Sequence, residues 1–451
     1  MSWIALKMLV GDKAKFFGIV LGLTFAALLI AQQGSIFCGL MLRTAGQVYD
    51  ITGADLWVMD ANVRYIDDVK PMIENNLYRV RGVPGVEWAV PLYKGNARAK
   101  INSYGIDPQT KRRTKFEVIE QVILLGLDDS SMVGAPPPER MLAGALTDLR
   151  RPDAIVVDDN RLMKLFPGEP WDRKPADPSF FVETIDGIRA DLSARGLVPS
   201  ATGPDAVARA RAARKAFFAR FLGRELEMND HRAIIVGVCE ATRTFQSNAV
   251  VYTKYSRAKL FAPQERKVLS YVLAKAEDLA PTATPEERER WIKEVAARIA
   301  RRTGLRARTS QEFIWDTINY YLKYTGIPIN FGITTMLGFL VGTAIAGQTF
   351  YNFTIENIKQ FGALKAMGAT NARIVGMILL QAAVVGLLGY GLGMGLAGLF
   401  GVTSRGGELA FYTPWQLLPI TGGAVVAICF LSSILSVRRV IVLEPAVVFR
   451  G

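Results

Sequence analysis

The chain carries few side chains able to do chemistry. Its 451 residues include one histidine, His231, three cysteines and 41 Asp and Glu. Nucleophilic hydrolysis of the Ser-His-Asp or Cys-His kind needs a buried, oriented imidazole. His231 instead sits beside Asn229-Asp230, in a segment that reads as a turn. The chain has no His-Glu-x-x-His helix, no histidine cluster and no cysteines at zinc-ligand spacing. Cys38, Cys239 and Cys429 are too scattered for a disulfide framework and read as small packing residues. No Gly-Lys dipeptide occurs, so the chain cannot build an ordinary P-loop for ATP by itself. The expectation is a chain with no catalytic, metal-binding or cofactor-binding residue.

What remains is a segment suited to docking. Residues 354–376 form a short basic amphipathic stretch, with Lys359, Lys365 and Arg373 against the single acid Glu356. Ile358, Phe361, Leu364 and Met367 recur at three-residue steps, as one apolar stripe that could lie on a partner or on the membrane. Gly368 and Arg373 complete the candidate site.

The elements that position this segment are apolar runs. Four stretches hold no Asp, Glu, Lys or Arg: 16–42, 326–355, 374–404 and 409–437. Each exceeds the roughly 20 residues needed to cross a hydrocarbon core of about 30 Å. The mean hydropathy of +0.20 is high for a chain with 54 Lys and Arg and 41 Asp and Glu, net charge +13, and the two facts agree because charge and apolar residues are segregated.

Short loops rich in Lys and Arg stay in the cytoplasm. The N-terminus has Lys7, Lys13 and Lys15 against Asp12, and the C-terminus Arg438, Arg439 and Arg450 against Glu444. The connection between the third and fourth runs has Arg405 and Glu408. The pattern predicts a cytoplasmic segment 1–15, spans at 16–42, 326–353, 374–400 and 415–437, a cytoplasmic helix at 354–373, a short outer loop at 401–414 and a cytoplasmic tail at 438–451. The first run is longer than the 7–15 residues of a signal-peptide core, so it reads as a retained anchor.

No ionisable residue lies inside a span, which argues against a proton relay or a polar substrate path. The spans carry glycine pairs at packing spacing: Gly338/Gly342, Gly389/Gly393 and Gly391/Gly395. Gln32, Gln33 and Gln348 are expected to face other helices.

The block 43–325 is therefore exported and reads as mixed α/β. Strands are expected at 55–59, 86–93, 118–127, 154–157 and 268–273, and a hairpin at 224–238 turning on Asn229-Asp230. A helix is expected at 67–80, with Val69, Ile73, Leu77 and Val80 on one face. Another spans 284–302, with Thr284 as its cap, Pro285 at its first position and Gly304 as its stop. Segments 43–51 and 310–324 are expected to extend the spans outward as a stalk. Residues 167–222 read as an inserted subdomain ending in a basic helix with Phe217, Phe218, Phe221 and Leu222 on its packed face. An exported basic helix gives no reason to expect a nucleic-acid partner.

Asn357-Ile-Lys-Gln-Phe-Gly-Ala-Leu-Lys-Ala-Met-Gly-Ala-Thr370 resembles the loop after the second span of FtsX-like ABC transporter permeases, which typically reads Arg-Glu-Ile-Gly-x-Leu-Lys-Ala-Ile-Gly-Ala-Ser. Gln360-Phe361 stands where that family has Arg-Glu. Arg438-Arg439 followed by Glu444-Pro445-Ala446 is similar to the family's closing motif. The resemblance is to MacB-type permeases of the type VII ABC superfamily, most of all to DevC-like separate-permease exporters. It implies a membrane protein with four transmembrane α-helices and a large exported α+β domain, a MacB-type periplasmic core domain, between helices 1 and 2. It further implies a non-catalytic subunit of the bacterial inner membrane. ATP would be used by a separate ABC ATPase, whose motion reaches the periplasmic domain through the coupling helix. The implied partners are that ATPase, a second copy of the chain, a periplasmic adaptor (membrane fusion) protein, an outer-membrane duct and the lipid bilayer. A lipoprotein-releasing or hydrolase-activating mechanotransmitter is the alternative within the family, and a membrane-anchored sensor or enzyme the alternative outside it.

Overall fold

The structure is a computed structural model that describes residues 2–106, 113–166, 212, 214–263, 268–404 and 409–441. It divides into a helical unit, Met1–Leu42 with Tyr324–Gly451, and a sheet-bearing unit, Arg43–Lys323.

In the sheet-bearing unit the described residues form ten strands: β1 (Leu56–Met59), β2 (Val86–Ile106), β3 (Arg113–Leu127), β4 (Met141–Gly144), β5 (Ala154–Asp158), β6 (Glu225–Met228), β7 (His231–Cys239), β8 (Ala249–Lys254), β9 (Tyr271–Ala276) and β10 (Arg306–Thr309). Their order is β10-β1-β9-β2-β3-β8-β5-β7-β4, with β6 pairing both β7 and β2. That last pairing closes β2, β3, β8, β5, β7 and β6 into a ring. Ala99 sits opposite Met228 and Lys100 opposite Glu227. Alternate residues point inward, as a closed sheet requires: Tyr93, Ala97, Ala99 and Ile101 of β2, Val122 and Leu124 of β3, Ile155 and Val157 of β5 share one core. Phe217, Phe218 and Phe221 join it, as the basic-helix reading expected of them. The rest of that insert, 167–211 and 213, lies outside the described residues.

β10, β1, β9 and the first half of β2 make an antiparallel sheet. Leu56 and Val58 face a core shared with helices Asn75–Arg81 and Pro285–Thr303. On the other face Trp57 packs against Tyr271 and Phe313. Thr284 and Glu287 form a reciprocal capping box, and Gly304 ends that helix at φ +71°, a left-handed position that favours glycine. Asn229 and Asp230 both have positive φ, as a two-residue hairpin turn needs. His231 is the first residue of β7, beyond the turn.

Three expectations are corrected. The helix over 67–80 shrinks to Asn75–Arg81, because Pro71 disfavours helical geometry before it and the Met72 N–H pairs with the Leu269 carbonyl. Ile73 is accordingly exposed. The first spanning helix does not continue through 43–51: it stops at Thr44 and a short helix, Gly46–Asp50, packs into the sheet-bearing unit. There Asp50 accepts from Arg140 at 2.6 Å and from the Thr242 N–H at 2.7 Å. Helix Ser310–Tyr324 buries Phe313, Ile314, Thr317, Ile318 and Tyr321, so that face is a packed wall of the domain.

One end of the ring holds a buried polar cluster. Arg214 donates to Asp159 at 2.6 Å and also pairs with Glu240. Asp158 accepts backbone N–H bonds from Arg161 at 2.8 Å and Val250 at 2.6 Å. Burial pushes Asp158 up to about 7, against the opposing pull of those N–H groups. An unfolded Asp titrates near 3.9. Between those values the folded chain keeps a proton that the unfolded chain releases. The stabilisation from this group is therefore full below about pH 4 and lost as pH rises towards 7. The unfolding temperature is expected to fall from pH 5 to pH 8 more steeply in the wild type than in Asp158→Asn; parallel profiles would exclude this role.

Candidate docking site

The helical unit contains four helices of spanning length and composition: Lys13–Thr44, Ile327–Glu356, Asn371–Ser404 and Leu417–Arg438, the last continuing to Ile441. The fourth begins at Leu417, after residues 409–414, which form neither helix nor strand, and a turn at Trp415-Gln416. The glycines sort by neighbour. A side chain at Gly338 would meet Leu29 at 3.2 Å, and one at Gly342 would meet Ala26 at 2.4 Å. Gly389 and Gly393 would meet Leu23 and Ala27, each at 2.6 Å. These four let the second and third spans approach the first. Gly391 and Gly395 have nothing within 4 Å and face outward. Gln32 and Gln33 are half-buried but Gln348 is exposed, so that handle does not face another helix. Gln381 of the third span is buried, and its Nε2 donates to the Ala5 carbonyl at 2.7 Å.

The docking segment is a separate helix, Ile358–Ala366. It begins where the second span stops: the Asn357 side chain donates back to the Phe353 carbonyl at 2.8 Å. It ends in a Schellman closure. The Gly368 N–H reaches the Lys365 carbonyl at 2.9 Å and the Ala369 N–H the Leu364 carbonyl at 3.0 Å, with Gly368 at φ +88°. Thr370 then accepts the first bonds of the third span, from Arg373 and Ile374.

Its apolar face is covered by the chain itself. Phe361 is fully buried with Ile374, Ile378 and Val440, and Leu364 packs with Ala5 and Met377. Ile358 is half-buried. The Lys365 ammonium donates to the Ile441 carbonyl at 2.9 Å. Met367 does not continue the stripe: it lies past the helix end and is 75% exposed. The outward face carries Glu356, Lys359, Gln360, Ala363 and Met367, and Arg373 is exposed on the first turn of the third span. Glu356 is ion-paired with Lys15.

The N-terminal segment is itself a helix, Ser2–Gly11, that buries Ala5 and Leu9. The sequence reading missed it. Its signal is the spacing of Ala5, Met8 and Leu9 before the Gly11-Asp12 break. Four helix ends thus meet in one platform. Among the described residues no group of His, Cys, Asp and Glu could hold a metal ion.

Residues 329–445 match the FtsX-like permease C-terminal family. This part of the chain is an FtsX-like permease domain. Over 123 residues the chain is 30% identical to an uncharacterized ABC transporter permease of Mycobacterium bovis, and to permeases so named in two strains of Mycobacterium tuberculosis. The matched part is 26% of this chain and 33% of those relatives, so the chain spans about a third of the length of the curated relatives it matches. The sheet-bearing region resembles, with TM-score 0.31 and 13% identity, the periplasmic region of MacB from Actinobacillus actinomycetemcomitans, over 62% of this chain and 96% of that one. For the extracellular domain of the noncanonic ABC-type transporter YknZ from Gram-positive bacteria the values are 0.29, 12%, 57% and 98%. Four helices of this chain are long and apolar enough to cross a membrane, and in sequence the sheet-bearing unit lies between the first two of them.

Proposed function

We propose that the chain is the permease subunit of an ABC-type export complex, converting ATP-driven motion of a separate ATPase into motion of its outer domain. It acts as a dimer in the bacterial inner membrane, with a periplasmic adaptor and an outer-membrane duct, and is itself non-catalytic. The observation that carries the reading is the platform. A nine-residue helix is clamped to three other helices through Phe361, Leu364 and Lys365 while Lys359, Gln360, Ala363 and Met367 stay exposed. A helix held on one face and open on the other can receive a push without peeling off. The outward-facing Gly391 and Gly395 offer a close-packing surface for a second copy.

The docking contact is assigned to the open face, which changes the informative variant. Met367→Asp is expected to lower retention of the ATPase encoded beside this gene by at least tenfold, with no change in elution or unfolding temperature. Leu364→Asp buries a carboxylate inside the platform and is expected to damage the fold itself. Co-purification from detergent measures both. Full retention of the ATPase by Met367→Asp and Ala363→Asp would remove this face from the contact, and no retention by the wild type would remove the ABC reading.

A further inference from the structure

The lipid-facing side of the third and fourth spans is hollowed. Two open grooves, of about 400 and 370 Å³, meet at Leu379 and Phe430, which line both. The deeper one runs up to Gly422 and Val426, the other down to Arg438. Gly422 lies at its upper end, where an added side chain would stand 3.7 Å from the Tyr390 ring. Sixteen residues separate Gly422 from Arg438, about 24 Å of helix. That exceeds the depth of one leaflet of a core of about 30 Å.

Two hydroxyls along the slot are already engaged within the protein. Tyr390 donates to the Leu418 carbonyl at 3.2 Å and Ser433 to the Phe430 carbonyl at 2.9 Å. Arg438 is exposed at the cytoplasmic rim, and no acid lines either groove. We propose that this slot is a binding site for one anionic phospholipid of the cytoplasmic leaflet, an acyl chain lying between Leu379 and Val426 and the phosphate paired with Arg438. Shape and charge both support this occupant. An apolar furrow whose one lining cation among the described residues stands at its membrane-surface end complements a lipid tail with an anionic head. A spanning helix of another protein would cover the furrow while leaving that cation against an apolar surface. The cytoplasmic placement of Arg438 follows from the excess of basic residues on this face.

The test uses the full chain in detergent, titrated with phosphatidylglycerol and with phosphatidylcholine of the same acyl chains, and read by native mass spectrometry. Wild type is expected to retain phosphatidylglycerol about fivefold better, the weight of one basic residue at an anionic surface. Arg438→Ala is expected to erase that preference and Arg438→Lys to keep it. Lys7→Ala, a change at an exposed basic residue outside the slot, is expected to leave it intact. Val426→Trp, at a residue 69% exposed and so tolerant of size, is expected to lower retention of both lipids. Equal retention of the two lipids by wild type overturns the proposal, as does a preference that survives Arg438→Ala. A substitution-dependent disulfide between two copies carrying Val426→Cys in native membranes also overturns it, because the face then belongs to an interface.

Discussion

Gly393→Leu is expected to abolish recovery of folded protein, whereas Gly391→Leu and Gly395→Leu, two residues away on either side, leave each protomer folded with an unchanged unfolding temperature. The difference lies in what each added side chain meets. At Gly393 the first new carbon would stand 2.8 Å from the Thr24 carbonyl oxygen and 2.9 Å from the Leu28 nitrogen, as well as 2.6 Å from Ala27 Cβ. Main-chain atoms of the first span cannot swing aside as a flexible side chain would. The two helices must separate, which also breaks the contact at Gly389 one turn away, 3.2 Å from the Thr24 nitrogen. Overpacking a core against movable side chains costs about 1–3 kcal/mol; here the cost lies at or above the top of that range. Size-exclusion profiles and unfolding temperatures of the three variants measure it. Equal behaviour of Gly391→Leu and Gly393→Leu would mean that the first and third spans are not packed as described.

Arg214→Met is expected to destabilise the outer domain by about 3–5 kcal/mol. The guanidinium is 7% exposed and its partner Asp159 is 4% exposed. Removing the cation leaves Asp159 charged and buried, with the N–H···O bonds from Arg214 gone and Asp158 directly beside it in sequence. The methionine restores volume but not charge, so the loss reads the stranded carboxylate rather than a cavity. For a domain of this size the fall in unfolding temperature is roughly 10 °C. Asp159→Asn in the same background should recover part of it, because a neutral side chain no longer needs the cation. A loss under about 1 kcal/mol would mean that water reaches Asp159 and that the pair behaves as a surface one.

Local chemistry made much of the fold legible. Charge-free runs marked the spans, Thr284-Pro285 and Gly304 marked a helix at both ends, and Asn229-Asp230 marked the hairpin turn. Pro71 should have vetoed the helix expected over 67–80, but the apolar spacing of Val69, Ile73 and Leu77 outweighed it. Ring closure was not legible: it depends on β6 meeting β2 with Asn229 and Arg98 joined across 131 residues, and no local pattern encodes that register. For the candidate site, periodicity found the right helix but could not say what covers its apolar face. Ile358, Phe361 and Leu364 form the same stripe whether a partner or the protein's own N-terminal helix lies on it. The glycines show the same limit. Spacing grouped Gly391 with Gly395 as readily as Gly389 with Gly393, and only the neighbours distinguish the inward pair from the outward one.

The 21 residues of β2 belong to both halves of the outer domain. Its first part hydrogen-bonds to β9 in the open sheet, and the residues from Tyr93 to Ile106 pair with β3 in the ring. A pull along this strand would load the fourteen pairs to β3 together, in shear, instead of opening them one at a time like a zip. The two halves are therefore joined by a beam rather than a hinge. Tension entering the open sheet along β2 is expected to pass to the ring, and a single cysteine pair bridging β2 to β3 should leave that transmission unaltered.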